Sequence, residues 1–205
     1  MKRRFAASIA VAFFLSLLNL GSPLAQEPPQ RVRGTIECID GNRIAIKTRE
    51  GAELTIRLKE NAPVMAVVAA SLSGIKPGTY IGVTGRPQPD GGQRAIEVHI
   101  FPEAMRGLGE GHRPWDLEPS STMTNGNVAQ QVMGVEGQTL KVQYKDGEKN
   151  IEVAPSTQIV AFEPGSFQDL KPGEKVFIAA ATKLPDGSFE AARIAFGKDG
   201  LAPPM

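Results

Sequence analysis

Four turn signals recur in the same order at a near-constant distance along this chain, and they constrain its fold more than any other feature. Asp40-Gly41-Asn42 returns as Glu136-Gly137-Gln138, and Glu50-Gly51 returns as Asp146-Gly147. Lys76-Pro77-Gly78 returns as Lys171-Pro172-Gly173, and Pro89-Asp90-Gly91 as Pro185-Asp186-Gly187, each close to 96 residues further on. That period is too long for a solenoid repeat and fits a small domain duplicated in tandem.

Between these turns the apolar residues alternate, the pattern of strands with one buried face. Ile44 and Ile46, then Leu54, Ile56 and Leu58, match Leu140, Val142 and Tyr144, then Ile151 and Val153. Each unit therefore opens as a three-stranded meander. In the first unit Val64, Val67, Val68, Ser71, Leu72 and Ile75 fall at helical spacing, which predicts a short helix ending at Lys76-Pro77-Gly78. The second unit has Pro164-Gly165 at the equivalent place, so its helix is expected to be a single turn or absent. A hairpin closes each unit, residues 79–85 with 95–101 and 175–181 with 189–196, each through a Pro-Asp-Gly turn. The reading is mainly all-β, with two tandem OB-like barrel units at residues 31–101 and 127–197 and a linker at 102–126. An SH3-like barrel or a small open sheet fits the same element order.

Residues 1–25 carry a different message. Lys2-Arg3-Arg4, the apolar run from Phe5 to Leu20, and Ser22-Pro23-Leu24-Ala25 have the layout of an export signal cleaved near Ala25. Removing its three basic residues from the 23 Lys and Arg leaves 20 against 22 Asp and Glu, a net charge of −2. That balance lacks the basic footprint of a nucleic-acid binder. The longest later apolar stretch, Val64 to Ala70, is too short to span a bilayer, so the exported chain is expected to be periplasmic or secreted, without an integral membrane segment.

The material for chemistry is thin. A lone cysteine, Cys38, excludes a disulfide framework, and its alternation with Ile36 predicts a buried place inside the first strand. No Gly-x-Ser-x-Gly elbow is present, and Gly107-Leu108-Gly109-Glu110-Gly111 lacks the lysine of a phosphate loop. Glu148 and Glu152 are expected to be solvating charges on strand surfaces. The linker alone gathers candidate groups: Trp115, the one tryptophan, beside Arg113, with His112, Glu103, Glu110, Asp116 and Glu118. Alternation in Ile96-Glu97-Val98-His99-Ile100 places Glu97 and His99 on the face opposite the apolar residues. If the linker folds back, His99, His112, Glu103 and Asp116 form a candidate set for a divalent transition metal such as zinc, copper or nickel. If it does not, Trp115 and Arg113 are expected to seal a seam between the barrels.

Two resemblances follow from these motifs. Thr157-Gln158-Ile159, Asp169-Leu170-Lys171-Pro172-Gly173, Pro185-Asp186-Gly187 and Ala191-Ala192-Arg193-Ile194 resemble the OB-like repeats of secreted bacterial proteins. The segments KPGTYIGV, PDGGQRAIEVHIFPEAMRG, GEGHRPWDL and STMTN, between Lys76 and Asn125, are similar to an uncharacterised family of secreted proteobacterial proteins. Its members often carry the name metal ABC transporter permease, and a permease does not agree with a chain that has no spanning segment after residue 25. The expectation is an exported, soluble, non-catalytic binding or scaffold protein of the cell envelope whose partner is an envelope protein or polymer. The alternative is a periplasmic metal-binding accessory protein using His99, His112 and nearby carboxylates.

Overall fold

The structure, a computed structural model, describes residues 27–134 and 137–203, so the proposed export segment lies outside the described residues. Fourteen strands run in the order β1 (Gln30–Asp40), β2 (Arg43–Thr48), β3 (Glu53–Leu58), β4 (Val64–Ala69), β5 (Tyr80–Pro87), β6 (Gln93–Ile100) and β7 (Gly111–Pro114), then β8 (Thr122–Gly134), β9 (Gly137–Tyr144), β10 (Gly147–Val153), β11 (Gln158–Gly165), β12 (Lys175–Lys183), β13 (Phe189–Ala191) and β14 (Ile194–Gly197). The fold is all-β, as the alternation predicts, and among the described residues the helical content is confined to short 3-10 turns. Among the described residues no helix is long and apolar enough to cross a membrane.

Both meanders form where the turn signals place them, and both Pro-Asp-Gly hairpins form too. The partnership between meander and hairpin differs from the tandem expectation. The meander β1, β2 and β3 closes with β12 and β13, through antiparallel β1–β12 and parallel β3–β13 pairing. The meander β8, β9 and β10 closes with β5 and β6, through antiparallel β5–β8 and parallel β6–β10 pairing. Each closed five-stranded ring thus takes three strands from one half of the sequence and a hairpin from the other. The boundaries 31–101 and 127–197 mark repeats in the sequence but not barrels in space.

The cause lies at Val64 to Ser73, where the expected helix is replaced by strand β4 and a 3-10 turn at Leu72–Gly74. Six extended residues advance the chain about 20 Å, where a single helical turn or two would have kept it beside β3. The run Val64-Met65-Ala66-Val67-Val68-Ala69 is apolar on both faces because β4, central in the sheet between β11 and β14, turns Val64 and Ala66 into the core of the first barrel and Met65 and Val67 into the core between the barrels. A short apolar run flanked on both sides reads equally well as a buried strand. In the second half, residues 167–169 form the single turn that Pro164-Gly165 predicts, capped reciprocally by Ser166 and Asp169.

β4 and β11 are repeat counterparts, and they pair antiparallel about Val67 and Phe162. An approximate two-fold axis passes through that pair. Parallel β6–β11 on one side mirrors parallel β14–β4 on the other, so one continuous sheet connects the two barrels. Three apolar cores result. The first barrel is filled by residues such as Ile36, Ile44, Ile46, Ile56 and Ile178, and the second by Ile81, Val83, Val98, Leu140 and Val142. The third lies between the barrels and contains Val67, Tyr80, Phe101, Met123, Phe162 and Phe177. At about 1.5–3 kcal/mol for each large apolar side chain fully buried, this third core ties the barrels together.

Cys38 is exposed, against the expectation of burial. The β1–β2 register slips between Ile36 and Cys38, and a bulge there turns the next residues over. The linker is also more ordered than a loop without periodicity implies. It has a 3-10 turn at Glu103–Met105, strand β7 laid on β8, and its last residues, from Thr122, already belong to β8.

Candidate functional site

β6 turns Ala95, Val98 and Ile100 into the second barrel and sends Glu97 and His99 the other way. Because the first barrel covers that face, Glu97 and His99 are almost wholly buried, at 2% and 1% exposure. His99 Nδ1 lies 3.1 Å from Glu97 Oε1. Glu97 Oε2 has no hydrogen-bond partner among the described residues. The imidazole stands edge-on to Phe101 at 4.9 Å and to Phe162 at 5.8 Å between ring centres. Its Nε2 occupies the space over Gly82, where an added Cβ would stand only 1.9 Å away. Glycine at 82 is therefore a steric requirement for histidine at 99.

Beside this pair lies a cavity of about 390 Å³ between the barrels. Its walls are mostly apolar, from Met65, Phe101, Met123 and Phe162 to Phe177 and Ala180. His99, Trp115, Asn125, Arg113 and Arg193 are the lining residues that carry polar groups. Trp115 Nε1 and Asn125 Oδ1 are buried and have no hydrogen-bond partner among the described residues. The segment 102–121 covers one side of this cavity. It is fastened by Tyr80, whose hydroxyl donates to Leu108 O at 3.2 Å, and by Asn125 Nδ2, which donates to the same carbonyl at 3.0 Å. Burial, with the charge of Glu110, pushes the Tyr80 pKa up to about 12, so this hydroxyl keeps its proton.

The structure does not bring the candidate metal ligands together. Glu103 accepts two hydrogen bonds from Arg106, at 2.6 and 2.7 Å. Asp116 pairs with Arg33 at 2.7 Å and with Arg31 at 3.1 Å. Burial acts to raise the Asp116 carboxyl pKa, but hydrogen bonds and charge from Arg33 and Arg31 outweigh it and hold the group below its ordinary value. His112 lies on β7, with Nδ1 2.8 Å from Thr124 Oγ1 and its ring stacked on Tyr144, away from the cavity. Among the described residues no group of three or more His, Cys, Asp or Glu side chains is placed to hold a metal ion. The physical reason is that Arg106 takes Glu103 and Arg31 and Arg33 of β1 take Asp116, while Thr124 and Asn125 are successive β8 residues and carry His112 and the cavity on opposite faces.

Trp115 and Arg113 line the cavity between the barrels. Arg31 of β1 stands 3.8 Å over the indole ring and Arg113 of β7 stands 5.3 Å from it, so the ring is placed between cations from two sides. Arg193, Phe162 and Met65 escape a reading based on the linker alone. A comparison of the two repeats contains the signal that finds the first of them. Aligned on Pro89-Asp90-Gly91 and Pro185-Asp186-Gly187, Glu97 matches Arg193 and His99 matches Ala195, a change of chemistry within otherwise similar hairpins.

Comparison of the chain with protein-family models, with curated proteins and with solved structures finds no match.

Proposed function

We propose that this chain is an exported, non-catalytic binding protein of the cell envelope, and that its ligand is a small molecule with a mainly apolar body held between the barrels. The observation that carries the reading is the cavity of about 390 Å³, apolar on its walls and edged by a few polar groups. That is the size and character of a small-molecule site. A concave, partly open cavity of this size, with mostly apolar walls, suits a small molecule better than the polymer or protein that a flat barrel face would accept. The export half rests on Lys2-Arg3-Arg4 and the apolar run that follows, and on a net charge of −2 after their removal.

The lining supports binding rather than turnover. It contains no hydroxyl, thiol or carboxyl side chain. The one imidazole on it, His99, has Nδ1 held by Glu97, and the lining offers no hydroxyl or thiol for it to activate as a nucleophile.

Trp115 supplies the test, because it is the single tryptophan and lines the cavity. Titration with the neutral probe N-phenyl-1-naphthylamine should change Trp115 emission saturably at one probe per chain. Ala180→Phe fills the cavity from an exposed strand position without disturbing a barrel core, and it should abolish the change. Saturable binding that survives Ala180→Phe, or no binding by the parent, would overturn the reading. Fractionation of the native cell with N-terminal sequencing checks export, and an intact Met1 in the cytoplasm would refute it.

A further inference from the structure

We infer that the ligand of this cavity is an amphiphile with an anionic head, gripped at the mouth by Arg113 and Arg193 from opposite barrels. The inference rests on the cavity being a binding site, and it adds the class of ligand. Arg113 comes from β7, which lies on the second barrel, and Arg193 from the turn between β13 and β14, on the first. Both line the cavity, one from each barrel, and Arg193 is solvent-exposed.

The decisive point is where the nearby carboxylates go. The linker holds four acidic residues, and each has another partner. Glu103 binds Arg106, Asp116 binds Arg31 and Arg33, and Glu118 binds Arg86. Glu110 accepts the backbone N–H of Lys145. Among the described residues Arg113 and Arg193 are left without an ion pair. Arg113 donates only to Gly109 O, at 2.6 Å, and burial together with the like charge of Arg31 lowers its pKa. A partly buried cation without a carboxylate is a costly arrangement unless an anion completes it. Trp115 lines the same cavity and adds an aromatic surface beside Arg113.

The apolar body then faces the opposite wall, where Phe101, Phe162, Met65 and Met123 lie. The volume is two to three times the roughly 150 Å³ of a cavity that takes benzene, enough for a medium alkyl chain or a fused ring pair. Glu97 is not part of the lining and is held behind His99, so the anionic head stays at the mouth, away from the one buried carboxyl.

Three probes of equal chain length separate the head from the body: decanoate, decan-1-ol and decyltrimethylammonium, each followed by Trp115 emission and by calorimetry. Decanoate should bind at least tenfold more tightly than decan-1-ol, and the cationic probe should not bind. Added sodium chloride should weaken decanoate alone. Arg193→Gln should bring decanoate down toward the affinity of decan-1-ol and cost decan-1-ol far less, while Arg193→Lys should retain part of the preference. Equal affinity for decanoate and decan-1-ol, or an equal loss of both in Arg193→Gln, would overturn the anionic head while leaving the apolar site intact. Failure of all three probes and of N-phenyl-1-naphthylamine would overturn the site itself.

Discussion

Gly82 faces His99 across β5 and β6, and their repeat counterparts, Phe177 and Ala195, face each other across β12 and β14. One half places nothing on the first strand and a large ring on the second. The other half does the reverse. The next position along the second strand changes as well, since Phe101 is matched by Gly197, where Leu201 O stands only 1.7 Å from any added Cβ. The chain after Phe101 goes on to cover the cavity with residues 102–121, whereas the chain after Gly197 turns back at once through residues 198–200. Two halves with the same strands thus present different walls to the seam, and the seam is filled by pairs rather than by single residues. Each pair supplies one ring and one small residue, because a side chain at Gly82 would meet His99 Nε2 at 1.9 Å.

The comparison breaks most severely at His99. His99→Ala takes the partner from Glu97 Oε1 when Oε2 already lacks one, and leaves a void over Gly82. The expected loss is on the order of 3–5 kcal/mol, read by urea unfolding. Glu97→Leu combined with His99→Leu should recover most of it, because an apolar pair has no carboxyl to strand. A loss under about 1 kcal/mol for His99→Ala would mean that the pair is not structural.

Gly82→Ala comes next, at about 2–3 kcal/mol, because its Cβ overlaps His99 Nε2 and forces the ring aside. It sharpens the comparison through a double-mutant cycle. Gly82→Ala with His99→Ala moves the first wall toward the Phe177 and Ala195 arrangement, so the two substitutions should compensate by about 1 kcal/mol or more. Strict additivity would show that the two positions do not share one space.

Trp115→Ala should cost less, about 1–2 kcal/mol, since the ring is only half-buried and part of its value is the Arg31 guanidinium 3.8 Å above it. The repeat counterpart of this segment, residues 198–200, is a single turn without a tryptophan, so the substitution removes a contact that only one half of the chain supplies. Thermal unfolding followed by circular dichroism reads it without the lost fluorophore.

Much of this was legible in residues that act locally. Pro-Asp-Gly and Lys-Pro-Gly dictate turns by their own backbone preferences, and alternation correctly assigns Glu97 and His99 to one face of β6. That the face is buried depends on the first barrel, whose hairpin β12–β13 comes from the far end of the chain. Exchange of hairpins changes no local signal, because β3 pairs with β13 through the same parallel geometry by which β10 pairs with β6. Val64 to Ile75 misleads for a related reason: its spacing suits a helix, and only the strands on either side of β4 decide for extension. Arg113 and Arg193 lie 80 residues apart in sequence, and no pattern links them before the barrels meet.

The smallest expected effect separates the two histidines. Thr124 Oγ1 donates its only proton to Gln93 Oε1, so it accepts from His112 Nδ1, and neutral His112 carries its proton on Nδ1. A second proton must then enter at Nε2. Burial, and after it the charges of Lys149 and Arg113, disfavour that proton and hold the His112 pKa below its ordinary value. Between this lowered folded value and the unfolded value of about 6.5, the unfolded chain binds more protons than the folded one. Stability contributed by neutral His112 is therefore complete above about pH 6.5 and declines as the pH falls through that window. His112→Gln removes the titration while keeping a donor for Thr124, so the difference in urea midpoint between parent and variant should be constant above pH 7 and should move in favour of the variant on acidification toward pH 5. A difference that stays constant through pH 5 would show that His112 titrates alike in both states. A difference that moves in favour of the parent would show that Thr124 and Tyr144 stabilise the imidazolium instead.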